Sequence, residues 1–236
     1  MQIFIIASFS PCDAVMQSQR SLRQSKTGID MSINSYTPQV ICFCKHPAAA
    51  ERYVQVMASF RLSIRKAERS DIPAVIAWSG NQALTKHFHT QLPSGEQAGA
   101  QWFQRSLIDR GRNDFIINAL YEDGTKKPIG MVGLFNIDEH NRKAEYYILI
   151  GQPEFTRRGI AYRTTCEMLA NCFETLGYNK VTLSVDTDHI EAQRLAEKLG
   201  FRKEGMLTDD ILLDNGSFAD RYVYGMTAAQ YAELKK

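Results

Sequence analysis

The 236-residue chain has no long apolar run. None approaches the roughly 18 residues of a membrane-spanning helix, so no membrane segment is expected. The stretch from Met1 to Phe9 is apolar but lacks the basic leader and extended apolar core of a secretion signal. An excess of one charge is missing too. Twenty-eight basic residues face 26 acidic ones, for a formal net charge of +2. A general nucleic-acid binder carries a clear basic excess, so no nucleic-acid partner is expected. Cysteine is sparse and unpatterned: Cys12, Cys42, Cys44, Cys166 and Cys172 are odd in number and irregular in spacing. No second ligand pair stands at zinc spacing from Cys42, Cys44 and His46. The expectation is a reduced, cytoplasmic protein without a metal.

Pattern divides what is present. Residues 1–59 show no sustained period of 2 or 3.6 and are rich in Ser and Gln. They read as a poorly patterned N-terminal extension or as an artefact of start-site choice, with Met57 as the alternative beginning. Residues 60–236 read as one regular domain. Leu62 to Arg65 alternates like a strand. Ser70-Asp71-Ile72-Pro73 starts a helix, with a capping residue and an early proline. A second helix starts at Ser94-Gly95-Glu96. Three strands follow, near Phe115–Tyr121, Pro128–Phe135 and Lys143–Ile150, joined by turns at Glu122-Asp123-Gly124 and Asp138 to Asn141. A helix from about Ile160 to Leu176 ends at Gly177. A strand over Lys180–Val185, a helix over Ile190–Leu199 and two last strands, near Gly205–Leu213 and Phe218–Tyr224, complete the order. A strand–helix–strand crossover amid antiparallel hairpins predicts an α+β fold with a mixed, mostly antiparallel central sheet.

One junction carries chemistry. The apolar strand ending at Ile150 leads into Phe155-Thr156-Arg157-Arg158-Gly159-Ile160-Ala161, which opens a helix. A helix start offers N–H groups and a partial positive charge to an anion. Gly159 and Ala161 let the backbone approach a ligand, and Arg157 and Arg158 add charge. No Gly-Lys-Ser/Thr follows, so this is not a Walker loop, and the three spaced glycines of a dinucleotide fingerprint are absent.

This loop resembles the pyrophosphate loop of the GNAT superfamily of acetyltransferases, Gln/Arg-x-x-Gly-x-Gly/Ala, with Thr156 in place of Gln or Arg. Three other stretches agree with that family in order and spacing: Ala144-Glu145, Val185-Asp186-Thr187-Asp188, and Glu197-Lys198-Leu199-Gly200-Phe201-Arg202-Lys203-Glu204-Gly205 with Leu212 to Gly216 after it. The resemblance covers about Arg61 to Tyr231. It lies nearest to the ribosomal-protein N-terminal, polyamine and nucleotide-sugar amine acetyltransferases.

The resemblance implies helices on both faces of the sheet and acetyl-CoA as co-substrate. It implies transfer of acetyl to a primary amine of a small molecule or a protein N-terminus. It places Ile148, Leu149 and Ile150 along the pantetheine arm, and residues Arg157, Arg158, Gly159, Ile160 and Ala161 around the pyrophosphate. Glu145 falls at the acceptor site, where it could take the amine proton; otherwise it is a solvated residue at a strand end. His189 stands where relatives carry an Asn near the coenzyme, and could protonate the thiolate or be an exposed helix-start residue. Ala196 occupies the place of a family tyrosine acid and cannot move a proton. That leaves open a non-catalytic acyl-CoA-binding module, an O-acyltransferase, or a user of a longer acyl-CoA. A generic phosphate-binding α/β protein also stays open. His87 and His89 read as a pocket wall, a surface loop or metal ligands. A monomer or homodimer is expected. Only Glu96 and Asp109 supply carboxylates in the variable segment from Gly80 to Arg112, which speaks against a polyamine acceptor.

Overall fold

The structure, a computed structural model, describes residues 60–90, 92–213 and 215–236. The readings that concern Cys12, Cys42, Cys44, His46 and the extension lie outside the described residues. The described chain opens on β1 (Arg61–Lys66), a short 3-10 turn and α1 (Ile72–Ser79), with Pro73 in the first helical turn. Asp71 anchors that junction. Its carboxylate accepts the backbone N–H of Glu68 at 2.7 Å and both terminal nitrogens of Arg65 at 2.6 and 2.8 Å. Then come α2 (Gln82–Thr85), α3 (Glu96–Ile108) and the meander β2 (Asn113–Leu120), β3 (Lys126–Asp138) and β4 (Lys143–Ile150). The crossover follows as α4 (Ile160–Ala170), β5 (Lys180–Asp186) and α5 (Ile190–Leu199). A hairpin of β6 (Arg202–Leu212) and β7 (Phe218–Thr227) and a last helix α6 (Ala228–Leu234) end the chain.

The seven strands form one sheet in the order β1-β2-β3-β4-β5-β7-β6. Only β4 and β5 run parallel. Alternation of side chains sends apolar residues to both faces. On one face Ile117, Ala119, Tyr146 and Val181 pack with Ile160, Met168 and Leu169 of α4 and Ala196 and Leu199 of α5. On the other, Ile116, Met131, Tyr147 and Leu149 pack with Val75 and Trp78 of α1 and Trp102 of α3. The helices therefore lie on both faces, and the fold class is the one that the element order implies.

The pairing of β4 with β5 is short. Register holds for Lys143 with Lys180, Ala144 with Val181 and Glu145 with Thr182. Beyond Glu145 the two strands part, and β4 continues to Ile150 paired only with β3 on its other side. The fork opens in mid-sheet, where backbone groups of both strands face a gap.

Three details differ from the sequence expectation. The helix read as running to Leu176 is α-helical only to Ala170, and Asn171–Thr175 forms a π turn in which Leu176 N–H donates to Asn171 C=O at 2.9 Å. Two short helices, α2 and α6, were not expected, because four and seven residues give too short a window for helical periodicity. The cap of α6 is nonetheless plain: Thr227 and Gln230 form a reciprocal capping box. Finally, β6 begins at Arg202, three residues before the expected Gly205.

Candidate active site

The fork between β4 and β5 opens into a cavity of about 140 Å³. Glu145 stands on its wall at the point where the strands part. Its carboxylate accepts from Ser184 Oγ of β5 at 3.2 Å and from Asn136 Nδ2 of β3 at 3.1 Å. Two neighbouring strands thus aim it, and both donors leave lone pairs for a further partner. Ile148 and Ala196 also line the cavity, as do Tyr146 and Tyr147. The Tyr146 hydroxyl lies 2.7 Å from Thr165 Oγ1, and burial pushes its acidity far from the ordinary tyrosine range. Asp114 accepts the Tyr147 hydroxyl proton in a short hydrogen bond, and burial first, then Asp114, raises that group as well. Both tyrosines stay protonated near neutral pH and are poor acids.

Three histidines close the mouth. His87 and His89 come from the loop after α2, and His189 from the start of α5. The His87 and His189 rings stack at 4.3 Å. His87 Nδ1 is 2.9 Å from Asp186 Oδ2, and His89 Nε2 is 2.8 Å from both Asp186 oxygens. Burial works to raise the Asp186 carboxyl, but the hydrogen bonds from His89 and His87 prevail and hold it below the usual range. Burial lowers the His189 imidazole, with His87 pushing the same way. Gln193 ties the end of β5 to α5: its side-chain amide donates to the backbone C=O of Asp186 at 3.1 Å and of Thr187 at 2.9 Å. Local contacts thus set where His189 sits.

The loop at the far end of β4 has the shape that an anion cradle needs. Arg157 (φ 56°) and Gly159 (φ 71°) are both left-handed, and Gly159 caps α4 directly. Left-handed residues in a tight turn bring neighbouring N–H groups toward one side. Arg157 reaches across to Glu191 at the start of α5, at 2.7 Å, while the Arg158 guanidinium lies over the Phe155 ring at 5.7 Å. Glu145, Ile148 and His189 therefore share the cavity wall. Leu149, Ile150 and residues 157–161 do not line it but follow along the same strand and into its loop. Sequence reasoning passed over Ser184, Asn136 and the role of Asp186. Asp186 and His87 are 99 positions apart, and no local pattern joins them.

Residues 61–202 match the family model of the acetyltransferase (GNAT) domain. Spermidine N(1)-acetyltransferase of Vibrio cholerae is 26% identical over 160 residues, covering 68% of this chain and 89% of its own length. Its namesake in Escherichia coli is 26% identical over 157 residues, covering 66% and 81%. Among solved structures, spermidine N-acetyltransferase from Vibrio cholerae in complex with CoA and spermine superposes with a TM-score of 0.66 at 23% identity, over 72% of this chain and 98% of that one. The forked sheet, the loop after β4 and these matches converge: the chain belongs to the GNAT acetyltransferases and is an acetyl-CoA-dependent N-acetyltransferase of amines.

Proposed function

We propose that the acceptor is the primary amine of a slender aliphatic molecule, with the polyamines as first candidates, and that Glu145 takes its proton. The observation that carries this is the position of the Glu145 carboxylate, aimed into the fork by Ser184 and Asn136. A cavity of about 140 Å³ holds a group of roughly benzene size, which suits an unbranched amine arm. The named activity of the Vibrio cholerae and Escherichia coli relatives supports the polyamine class. The shortage of carboxylates between Gly80 and Arg112 loses its force here, because the carboxylate that lines the cavity, Glu145, comes from β4 and not from that segment.

Acetyl-CoA lays its pantetheine arm along the free edge of β4 at Ile148, Leu149 and Ile150. Its pyrophosphate sits on the turn Arg157 to Ala161. Holding amine and thioester together supplies much of the rate enhancement. Glu145 accepts the amine proton, directly or through water, as the nitrogen attacks the thioester carbon. The carbon–sulfur bond breaks and the thiolate leaves. His189, a neutral imidazole at the mouth, offers it an N–H. With Ala196 in the wall, no side chain at that place competes for this role. The catalytic domain spans residues 60–236, since Phe60 already packs its ring on Phe155 at 5.2 Å and Tyr121 at 6.0 Å. The chain works in the cytoplasm, without nucleic acid or membrane.

The test is CoA release from acetyl-CoA over a panel of polyamines, amino sugars and peptides, for wild type and Glu145→Gln. Polyamine turnover that falls about 100-fold in kcat in the variant, with coenzyme affinity kept, is the expected result. Wild-type kcat in the variant removes Glu145 from the mechanism. Turnover of peptides alone removes the polyamine reading.

A further inference from the structure

We infer that His87, His89, Asp186 and Asp188 form a binding site for one divalent first-row transition ion of the zinc class, at the mouth of the acetyl-transfer cavity. Two His-x-His residues from the loop after α2 meet two Asp-x-Asp residues from the end of β5. Ligating atoms of His87, Asp186 and Asp188 all lie within 4.8 Å of one another. His87 Nδ1 is 2.9 Å from Asp186 and 3.4 Å from Asp188, and His89 Nε2 is 2.8 Å from Asp186. Zinc bonds of about 2.0–2.2 Å in a tetrahedron set neighbouring ligand atoms about 3.3 Å apart. The pairs at 2.8–2.9 Å need to open by only about half an ångström to take an ion between them, and His89 Nε2, within 4 Å of Asp186 alone, completes the set from that side.

The chemistry of the set fits the ion. Two imidazole nitrogens and two carboxylate oxygens are borderline ligands of the kind that zinc and its neighbours prefer, and two carboxylates balance a 2+ charge. Each ring can bind as a neutral imidazole through the nitrogen that now faces Asp186, its proton moving to the far nitrogen, so no co-reactant is required. Much of the geometry is already fixed. Asp186 is buried at the strand end, and stacking on His189 holds the His87 ring. Asp188 is 66% exposed and gives the ion an entry path. The cation now beside it, Lys86 Nζ at 3.6 Å, sits on a side chain 67% exposed that can swing into solvent.

The experiment uses the full chain, freed of any affinity tag and of metal by chelator. Zinc titration by calorimetry and cobalt titration by visible absorption are the two readouts. The expected result is one ion per chain at micromolar affinity or tighter, with the absorption bands of tetrahedral cobalt. Asp188→Asn and His87→Gln should each weaken zinc by about tenfold or more, and both together should abolish the cobalt bands. Asp188 is exposed, so its variant does not threaten the fold. A Cys42→Ser/Cys44→Ser variant should bind as wild type. Absence of stoichiometric binding overturns the site. So does binding that survives the double variant at Asp188 and His87, or binding lost with the two cysteines. Acetyl-transfer activity is not a readout, so failure here leaves the polyamine reading untouched.

Discussion

Asp114 and Asp186 invite comparison. Both lie at or next to a strand end, both are all but buried at 2% and 4% exposure, and both are held by two partners. Asp114, in β2, takes the Nε of Arg112 at 2.9 and 2.8 Å and the hydroxyl of Tyr147. Asp186, ending β5, takes two imidazoles. The difference lies in what the partners can do. A guanidinium does not lose its proton, and although burial works to lower Arg112, the hydrogen bonds and charges of Asp114 and Tyr147 together raise it. The Tyr147 ring is buried so close to β3 that a Cβ on Gly133 would stand 2.7 Å from its hydroxyl. That cluster can only stay as it is. Imidazoles can turn over a proton, change tautomer or accept a cation, and theirs faces a cavity. Equal burial of equal residues thus gives a fixed brace in one case and an adjustable site in the other.

The largest expected effect breaks this comparison most directly. Asp114→Ala strands the Arg112 guanidinium among buried groups, and removing one member of such a pair costs about 3–5 kcal/mol. Asp186→Ala should cost clearly less, because an imidazole, unlike a guanidinium, has an uncharged form and both rings are partly open to water. Urea unfolding of both variants measures the gap. Equal losses would make Asp186 as much a brace as Asp114.

The two clusters also differ in how far sequence reveals them. Arg112, just before β2, and Asp114, within it, are two positions apart, while His87 meets Asp186 only after the whole sheet has been laid down. The same holds at larger scale. The alternation in β4 and the start of α4 at Ile160 are local, so the strand, the loop and the helix are legible. The left-handed Gly159 falls where a glycine marks the turn. The fork is different. It depends on where β4 stops pairing with β5, and no residue in either strand announces Glu145 as the last paired position. Family resemblance implies Glu145 at the acceptor site and Ile148, Leu149 and Ile150 along the coenzyme, whereas periodicity reaches neither. The π turn after Ala170 leaves the apolar spacing nearly unchanged, which hides it in the same way.

A second prediction carries the contrast between fixed geometry and adjustable charge to the anion loop. Gly159 holds a left-handed conformation that costs a side-chain-bearing residue about 1–2 kcal/mol, and more for a β-branched one. Arg157 is 81% exposed and paired with an exposed Glu191, an arrangement worth about 0–1 kcal/mol and screened by salt. Gly159→Val should therefore weaken acetyl-CoA binding more than Arg157→Ala or Arg158→Ala, at low and high salt alike. The dissociation constants decide. If Gly159→Val binds as wild type, the pyrophosphate lies elsewhere.

The smallest effect concerns a buried polar group with neither kind of partner. Asn118, in the middle of β2, is wholly buried, and both Oδ1 and Nδ2 lack any hydrogen-bond partner among the described residues. Its neighbour across the ladder on β3 is Pro128, which has no N–H, at a point where the register of the two strands shifts. Leaving a buried amide unpaired costs about 1–3 kcal/mol, whereas an apolar group of similar shape carries no such penalty. Asn118→Leu keeps a similar branched shape but adds volume, so overpacking takes back part of the gain. The variant should be stabilised by about 1 kcal/mol, read as a higher midpoint of urea unfolding with an unchanged slope. A loss of similar size would show instead that buried water pairs the amide at the bulge, and Asn118 would then join Asp114 as a brace.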